Sequence, residues 1–579
     1  MSRLRASPSA ARMLAGFLGA AAMLIACGPS RLGRQLPPAD RHVPFNFLGR
    51  RAMVVAAHPL AVEAGLKLLR SGGNAVDAAV AVALALNAAE PFASGIGGGG
   101  FMLIYLANQN RVAVINFREK APQAAHAGMF RERGGDETEW RTASGLAVAV
   151  PGALSGYDLA LRRYGTRTLA DAAVSAIAIA EQGFEVSATF SSVNTDEYEK
   201  LLKNAGEGSC YLKEGLPYDP GEHIRNPDLA RTLRLVASKG VAEFYQGEIA
   251  RKIVAAVRAK QGVMTLADLA AYRAAETAPL VGRYREFTIF TAPPPASGGL
   301  HLLQFLNIVE RWPLKAWGLN TAAYVHHLSE ALRFIFADKE RYLGDPEFVS
   351  IPIVDLVSKD YAARVASRIL EGNPFSSYSP GDFKRRKDDA ANTTHLCVID
   401  EQGNAVALTQ SINDFFGTGI VPEGTGFLLN DQMDDFASDV QSTNAPGPGR
   451  RPVSSMGPVL MFSRGKPFLI LGSPGGTRIF SSLTQIILNV TAFGMSLDEA
   501  IEAPRFFTSS AQGKPMPIDI ESRFPDAVAE TLRKMGHVVE VRGAYDKYFG
   551  GAQGLMVLPK KNIILGGADS RRDGFGAGY

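Results

Sequence analysis

The run Asn392-Thr393-Thr394-His395-Leu396-Cys397-Val398-Ile399-Asp400 sets an Asn–Thr junction directly against a β-type alternation. Residues 394–400 and 405–411 read as two strands joined by Glu401-Gln402-Gly403-Asn404, a β-hairpin signal. A chain cut before Thr393 would carry a hydroxyl and a free α-amine on one residue at the head of a strand. Such an amine, with a pKa of roughly 7.7–8, can accept the proton of its own hydroxyl and make it a nucleophile. On these residues alone, a Thr-rich edge strand after an ordinary Asn turn competes with that reading.

The start of the chain points to export. Arg3, Arg5 and Arg12 precede an uncharged, mostly apolar stretch over 13–26, too short to span a bilayer and suited to a signal peptide. Leu24-Ile25-Ala26-Cys27 resembles a bacterial lipobox, which implies that residues 1–26 are removed and that Cys27 carries lipid. A plain secretory signal with an incidental Cys is the alternative. Residues 27–47 read as a tether. Gly28 after the Cys implies, by the same resemblance, a periplasmic protein anchored to the outer membrane by its lipid alone.

The whole chain is 46% hydrophobic and 20% charged, enough apolar material for a large core. Residues 1–26 hold three Arg and no acid, so their removal lowers the net charge from +4 to +1. That balance suggests no nucleic-acid partner. Cys210 and Cys397 lie far apart, without CxxC or Cys/His metal spacing, so no disulfide framework and no metal is expected. Both read as buried small hydrophobes.

Helix and strand signals alternate along the body. The residues from Asn74 to Ala89 predict an apolar helix with Asn74 at its start. Leu169 to Gln182 predicts another, stopped by Gly183, and Pro227 to Ser238 a third. Strands are expected over 101–105, 111–118, 459–462 and 468–471. Gly95-Ile96-Gly97-Gly98-Gly99-Gly100 matches a dinucleotide fingerprint by letter, but the order here is helix, glycines, strand rather than strand, glycines, helix. The glycines are expected to let backbone segments pack closely.

Several separated stretches together carry a resemblance to the γ-glutamyltranspeptidase family over residues 47–579. They are Ser94-Gly95-Ile96-Gly97-Gly98-Gly99-Gly100-Phe101, Asn116-Phe117-Arg118-Glu119, Pro294-Pro295-Ala296-Ser297-Gly298-Gly299 and Arg341-Tyr342-Leu343-Gly344-Asp345-Pro346. Then follow Thr393-Thr394-His395, Phe416-Gly417-Thr418-Gly419, Asn430-Asp431-Gln432-Met433-Asp434-Asp435-Phe436, Arg451-Pro452-Val453-Ser454-Ser455-Met456, Gly472-Ser473-Pro474-Gly475-Gly476 and the closing Gly567-Ala568-Asp569 and Ala577-Gly578-Tyr579. The resemblance implies an α+β fold, the αββα sandwich of N-terminal-nucleophile hydrolases. It also implies self-cleavage at Asn392–Thr393 into a large subunit, 48–392, and a small one, 393–579, that stay together as one intertwined domain. No cofactor is implied.

Carried over by position, Thr393 is the nucleophile that attacks a γ-glutamyl amide, and Ser411 bonds and tunes its amine. Gly475 and Gly476 form the oxyanion hole. Asn413, Gln432 and Asp435 hold the substrate α-ammonium, the amides through their oxygens. Arg118, Ser454 and Ser455 clamp the α-carboxylate. Asn413 is expected to share a strand face with Ser411. The implied donors are glutathione and related γ-glutamyl compounds, with water, amino acids or peptides as acceptors. Read without the resemblance, Arg118–Glu119 is a strand-end salt bridge, Asp434-Asp435 a solvated turn, Ser454-Ser455 strand polar groups and Gly475-Gly476 a plain turn. His395 reads as structural, because the α-amine already supplies a base. Residues 437–450 are short and free of aromatics, so no lid over the glutamyl pocket is expected. A cephalosporin or glutaryl acylase-like amidase of the same fold, and a non-catalytic envelope lipoprotein scaffold, are the alternatives.

Overall fold

The computed structural model describes residues 46–370, 374–381 and 393–579. Cys27, Asn392 and the signal and most of the tether lie outside them. Two seven-stranded antiparallel sheets form the centre. One has the order Phe47–Gly49, Ile563–Ala568, Gln553–Leu558, Lys466–Gly472, Val459–Ser463, Phe287–Thr291, Leu280–Tyr284. The other runs Phe575–Gly578, Met53–Ala56, Thr394–Ile399, Ala405–Ser411, Gly99–Leu106, Arg111–Asn116, Ala275–Thr277. Each sheet takes strands from both sides of Thr393. Phe47 pairs with Gly566, so sheet structure begins at the last residue assigned to the tether.

Side-chain alternation builds the layers. Met53, Val55, Phe101, Leu103, Cys397, Ile399, Ala405 and Ala407 point into the space between the sheets, against Leu460, Phe462, Ile470 and Leu555. Their neighbours Val54, Met102, Ile104, Leu396 and Val398 point the other way, into a core shared with the helices Pro59–Arg70 and Ala75–Ala89. On the far face Ile289, Val459, Met461, Leu469 and Leu471 pack on the helices Ser297–Val309, Ala322–Tyr342 and Ile479–Thr491. The result is helix, sheet, sheet, helix, the four-layer sandwich expected from the resemblance. Each large aliphatic side chain so buried contributes about 1.5–3 kcal/mol.

Helix Ala75–Ala89 shows how one sequence feature sets its environment. All of its residues are buried, and the Asn74 and Asp77 side chains close a capping box at its start. A helix apolar all round needs cover on every side. It finds it between Pro59–Arg70, Leu169–Gln182 and the strand Thr394–Ile399.

The glycine run works by close approach. A Cβ on Gly97 would lie 2.0 Å from the Leu428 carbonyl oxygen, and one on Gly98 1.9 Å from that of Ser411. The strand expected from Phe101 begins earlier, at Gly99, because Gly99 and Gly100 pair with Ser411 and Gln410. The adjoining strand ends at Asn116, short of Arg118, where the chain turns away. At the other terminus, Tyr579 O accepts from the backbone N–H groups of Arg50 and Arg51, at 2.9 and 2.7 Å.

Candidate active site

Thr393 sits directly before its strand and is 2% exposed. Thr394 pairs with Gln410, and the same register sets Ser411 across from Thr393. Ser411 in turn pairs with Gly99, where a Cβ would lie 2.4 Å from the Phe117 carbonyl oxygen and 2.7 Å from the Glu119 carboxyl, so the glycine lets Glu119 approach this strand.

Asn413 is placed by a turn, not by strand alternation. The strand ends at Ser411, and Asn413 has φ of +78°, the left-handed region that Asn tolerates better than most residues. Its N–H donates to Ser411 Oγ at 2.8 Å, and its Nδ2 donates to the Asp431 carbonyl at 3.3 Å. These bonds bring Asn413 beside both the nucleophile strand and the turn Gln432–Asp435. Asn413 Oδ1 is buried and makes no hydrogen bond within the described protein.

Arg118 is the hub of the next layer. It is fully buried, and its guanidinium donates to Glu119 at 3.2 Å, to Gln432 Oε1 and to Asp435 Oδ2. The Pro452 and Val453 carbonyls accept from it as well, each at 3.3 Å. Thus Arg118 and Asp435, expected to hold opposite groups of a substrate, touch each other. A buried guanidinium needs counter-charge, and Asp435 and Glu119 provide it. Burial pushes the Asp435 carboxyl up to about 8 and that of Glu119 to about 7, although Arg118 opposes both shifts. The expected role of Gln432 also changes. Its Oε1 is committed to Arg118, so the buried group it has left is the Nε2 donor.

Ser454 and Ser455 follow the two carbonyls that hold Arg118. Ser454 is bound on both backbone sides, accepting from Ser297 N at 2.6 Å and donating to Pro295 O at 2.8 Å. A Cβ on Gly298 would stand 2.2 Å from the Ser455 carbonyl. The Pro-Pro-Ala-Ser-Gly-Gly stretch is therefore the support for this pair of serines.

Gly475 and Gly476 have φ of +128° and +56° and lead through a single turn into helix Ile479–Thr491. Their positive φ favours glycine, and the Arg478 and Ile479 N–H groups close the turn on the Gly475 and Gly476 carbonyls. The preceding strand ends at Gly472, whose missing side chain accommodates the His395 ring. His395 contacts Thr409 Oγ1 at 2.8 Å and Cys397 Sγ at 3.2 Å, and burial lowers its pKa to about 3. That makes it a neutral structural residue.

Residues 437–450 form a short tied loop. Asn444 Nδ2 donates to the Asp435 carbonyl at 2.7 Å, and Asn444 Oδ1 accepts from Val453 N at 3.0 Å. One side chain thereby bridges the Asp435 turn and the segment that grips Arg118. Sequence reading missed it, since Asn444 lies in a stretch with no pattern of its own.

His326, Glu330 and His537 are close enough to share a metal ion. Arg333 Nη1, however, donates to both Glu330 Oε1 and His537 Nδ1, at 2.9 and 3.2 Å. A guanidinium inside the cluster opposes a second cation, and the group reads as a buried polar network.

The sandwich, with a threonine heading a central strand, is of the N-terminal-nucleophile hydrolase type. The family model described as gamma-glutamyltranspeptidase matches residues 61–579, and the chain belongs to that family. It is 43% identical to the glutathione hydrolase proenzyme of Pseudomonas sp. (strain A14), over 78% of this chain and 81% of that one. It is 38% identical to the enzyme of the same name from Escherichia coli (strain K12), over 92% of each. The crystal structure of cephalosporin acylase from Bacillus halodurans superposes with a TM-score of 0.84 at 28% identity, covering 94% of this chain and 99% of that one.

Proposed function

We propose that this chain is a γ-glutamyl hydrolase and transferase acting on glutathione and related γ-glutamyl amides. The observation that carries the reading is the buried cluster linked to the Thr393 strand through Ser411 and Asn413, in which one guanidinium, Arg118, faces two carboxyls, Glu119 and Asp435. An α-ammonium entering the site is a second cation that favours the charged form of both carboxyls, and the attached α-carboxylate meets the unpartnered Gln432 Nε2. Asn413 Oδ1 accepts a further ammonium N–H. A zwitterionic amino-acid head group suits this site better than a plain diacid.

In the mechanism that follows, the Thr393 hydroxyl first attacks the Asn392 carbonyl, and water opens the resulting ester. The new α-amine of Thr393 then takes the hydroxyl proton as Oγ attacks the γ-carbonyl of the donor. The N–H groups at Gly475 and Gly476 receive the developing oxyanion; such a donor typically lowers a barrier by about 2.7–4 kcal/mol. The amine returns the proton to the leaving group. Water or an amino acid then resolves the γ-glutamyl ester. Residues 437–450 are short and free of aromatics, which argues against a lid, and a lidless site favours hydrolysis over transfer.

The structural likeness to a cephalosporin acylase supports a second reading, an amidase for glutaryl-type acyl groups. A γ-glutamyl anilide and its glutaryl analogue, assayed side by side with Thr393→Ala as control, separate the two. The first reading requires preference for the γ-glutamyl compound and loss of activity in Thr393→Ala. The leader and Cys27 further support an exported, lipid-anchored periplasmic protein. Among the described residues no helix is long and apolar enough to cross a membrane.

A further inference from the structure

Behind the nucleophile stands a pair of charged residues that the chemistry above does not use. Arg572 Nη1 donates to the Thr393 carbonyl oxygen at 3.2 Å. The next residue is held from the other side: Thr394 Oγ1 donates to Glu90 Oε2 at 2.6 Å. Glu90 and Arg572 face each other at 3.8 Å, with side chains 4% and 1% exposed. Two ions so deeply buried are expensive unless they are paired and bonded, and here each is spent on the first two residues of the nucleophile strand.

Both members stand on rigid supports. Glu90 is the C-cap of helix Ala75–Ala89, its N–H bonded to Leu86 O at 2.7 Å. The Arg572 N–H donates to the Asp569 carbonyl at 3.3 Å. Asp569 is itself fixed by Arg505 at 2.7 Å and Arg571 at 2.9 Å. The Arg572 guanidinium also lies 5.2 Å from the Phe415 ring centroid, which limits its swing.

We propose that Arg572 and Glu90 are positioning residues for Thr393, forming a bracket that holds its carbonyl and its neighbour's hydroxyl so that the Thr393 side chain and α-amine stay aimed at the substrate. The inference rests on Thr393 being the nucleophile. Cleavage at Asn392–Thr393 turns a mid-chain residue into a chain terminus, and termini fray unless tied down. The bond to Asn392 is gone, and the remaining hold on Thr393 comes from its strand and from this bracket. Glu90 falls on the large-subunit side of the cut and Arg572 on the small-subunit side, so the bracket also ties the new terminus to the partner piece.

The test compares Arg572→Gln, Arg572→Lys and Glu90→Gln with wild type, using a γ-glutamyl anilide, the melting temperature and the fraction of chain processed. Glu90→Gln keeps an acceptor for Thr394 and removes the charge that faces Arg572. A displacement of about 1 Å at a reacting group can cost on the order of 100-fold, so kcat is expected to fall about tenfold to 100-fold in Arg572→Gln and Glu90→Gln, with KM within about twofold. Arg572→Lys, which keeps the charge, should recover part of the loss. Should Arg572→Gln fail to fold, the other two variants decide. Wild-type kcat in those variants, or losses in kcat and KM together that track a lower melting temperature, overturn the bracket. Thr393→Ala runs beside them: if it still turns over the anilide, the nucleophile reading itself fails, whereas an inactive Thr393→Ala with fully active bracket variants sinks this inference alone.

Discussion

Arg118 and Asp435 lie 317 residues apart in the chain and meet as a buried ion pair, each side chain almost completely sealed from solvent. The pair lies between the Asn413 turn and the serines that follow Val453, so its charge is available only to something that enters the site.

Asp435→Asn keeps the size of the side chain and removes its charge. For γ-glutamyl donors kcat/KM should fall by the equivalent of about 2–5 kcal/mol, the range seen when one partner of a buried pair is lost. For glutaryl donors, which carry no α-ammonium, the fall should be much smaller. Matched anilides measure this. Equal losses for both donors would show that Asp435 serves only Arg118.

Thr393→Ala should remain a single chain without activity. In wild type the small fragment should begin at Thr393, as read by N-terminal sequencing. Any other first residue would falsify the cleavage assignment.

Glu119 should make stability depend on pH. Burial raises its carboxyl from an ordinary 4.5 to about 7, so between those values the folded chain binds the proton more tightly than the unfolded chain. Its contribution is fully present below the lower value and is lost as pH rises through the upper one. The melting temperature of Glu119→Gln, taken relative to wild type, should therefore improve from about pH 5 to about pH 8. A difference that stays constant across this window would remove Glu119 as the titrating group.

Asn444→Ala strips partners from the Asp435 carbonyl and the Val453 N–H at once. Each buried group left unpaired costs about 1–3 kcal/mol, so calorimetry should register a loss of that order. Activity should fall with it, since both bonds support the grip on Arg118. An unchanged kcat/KM in the folded variant would mean that the loop over 437–450 does not help to shape the site.

Cys27→Ser should move the protein from the membrane fraction to the soluble one if lipid is the anchor. Unaltered fractionation would rule the lipid out.

Much of this architecture is legible in local pattern. The hairpin of Thr394–Ile399 and Ala405–Ser411 follows from alternation and a turn sequence, and the helix Ala75–Ala89 from its apolar run after Asn74. The reading of the glycine run as a site of close approach agrees with the crowding at Gly97 and Gly98. What local pattern misses comes from long-range contact. Alternation would have set Asn413 on the face of Ser411, but the strand stops and a left-handed residue redirects the chain. The resemblance gives Gln432 an accepting oxygen; the proximity of Arg118 commits that oxygen and leaves the amide nitrogen unpartnered. Arg572 reaches Thr393 across 179 positions and Thr394 reaches Glu90 across 304, with no motif at either end to announce the meeting.

The alternation of strands from before and after Thr393 within both sheets has a thermodynamic consequence. Hydrolysis of one peptide bond there creates two polypeptides but no second folding unit: neither piece retains either seven-stranded sheet whole, and each closes the hydrogen-bond ladders of the other. The pair should melt in one cooperative transition, and dissociation should amount to unfolding, so maturation of this chain changes its covalent connectivity while leaving it a single thermodynamic body.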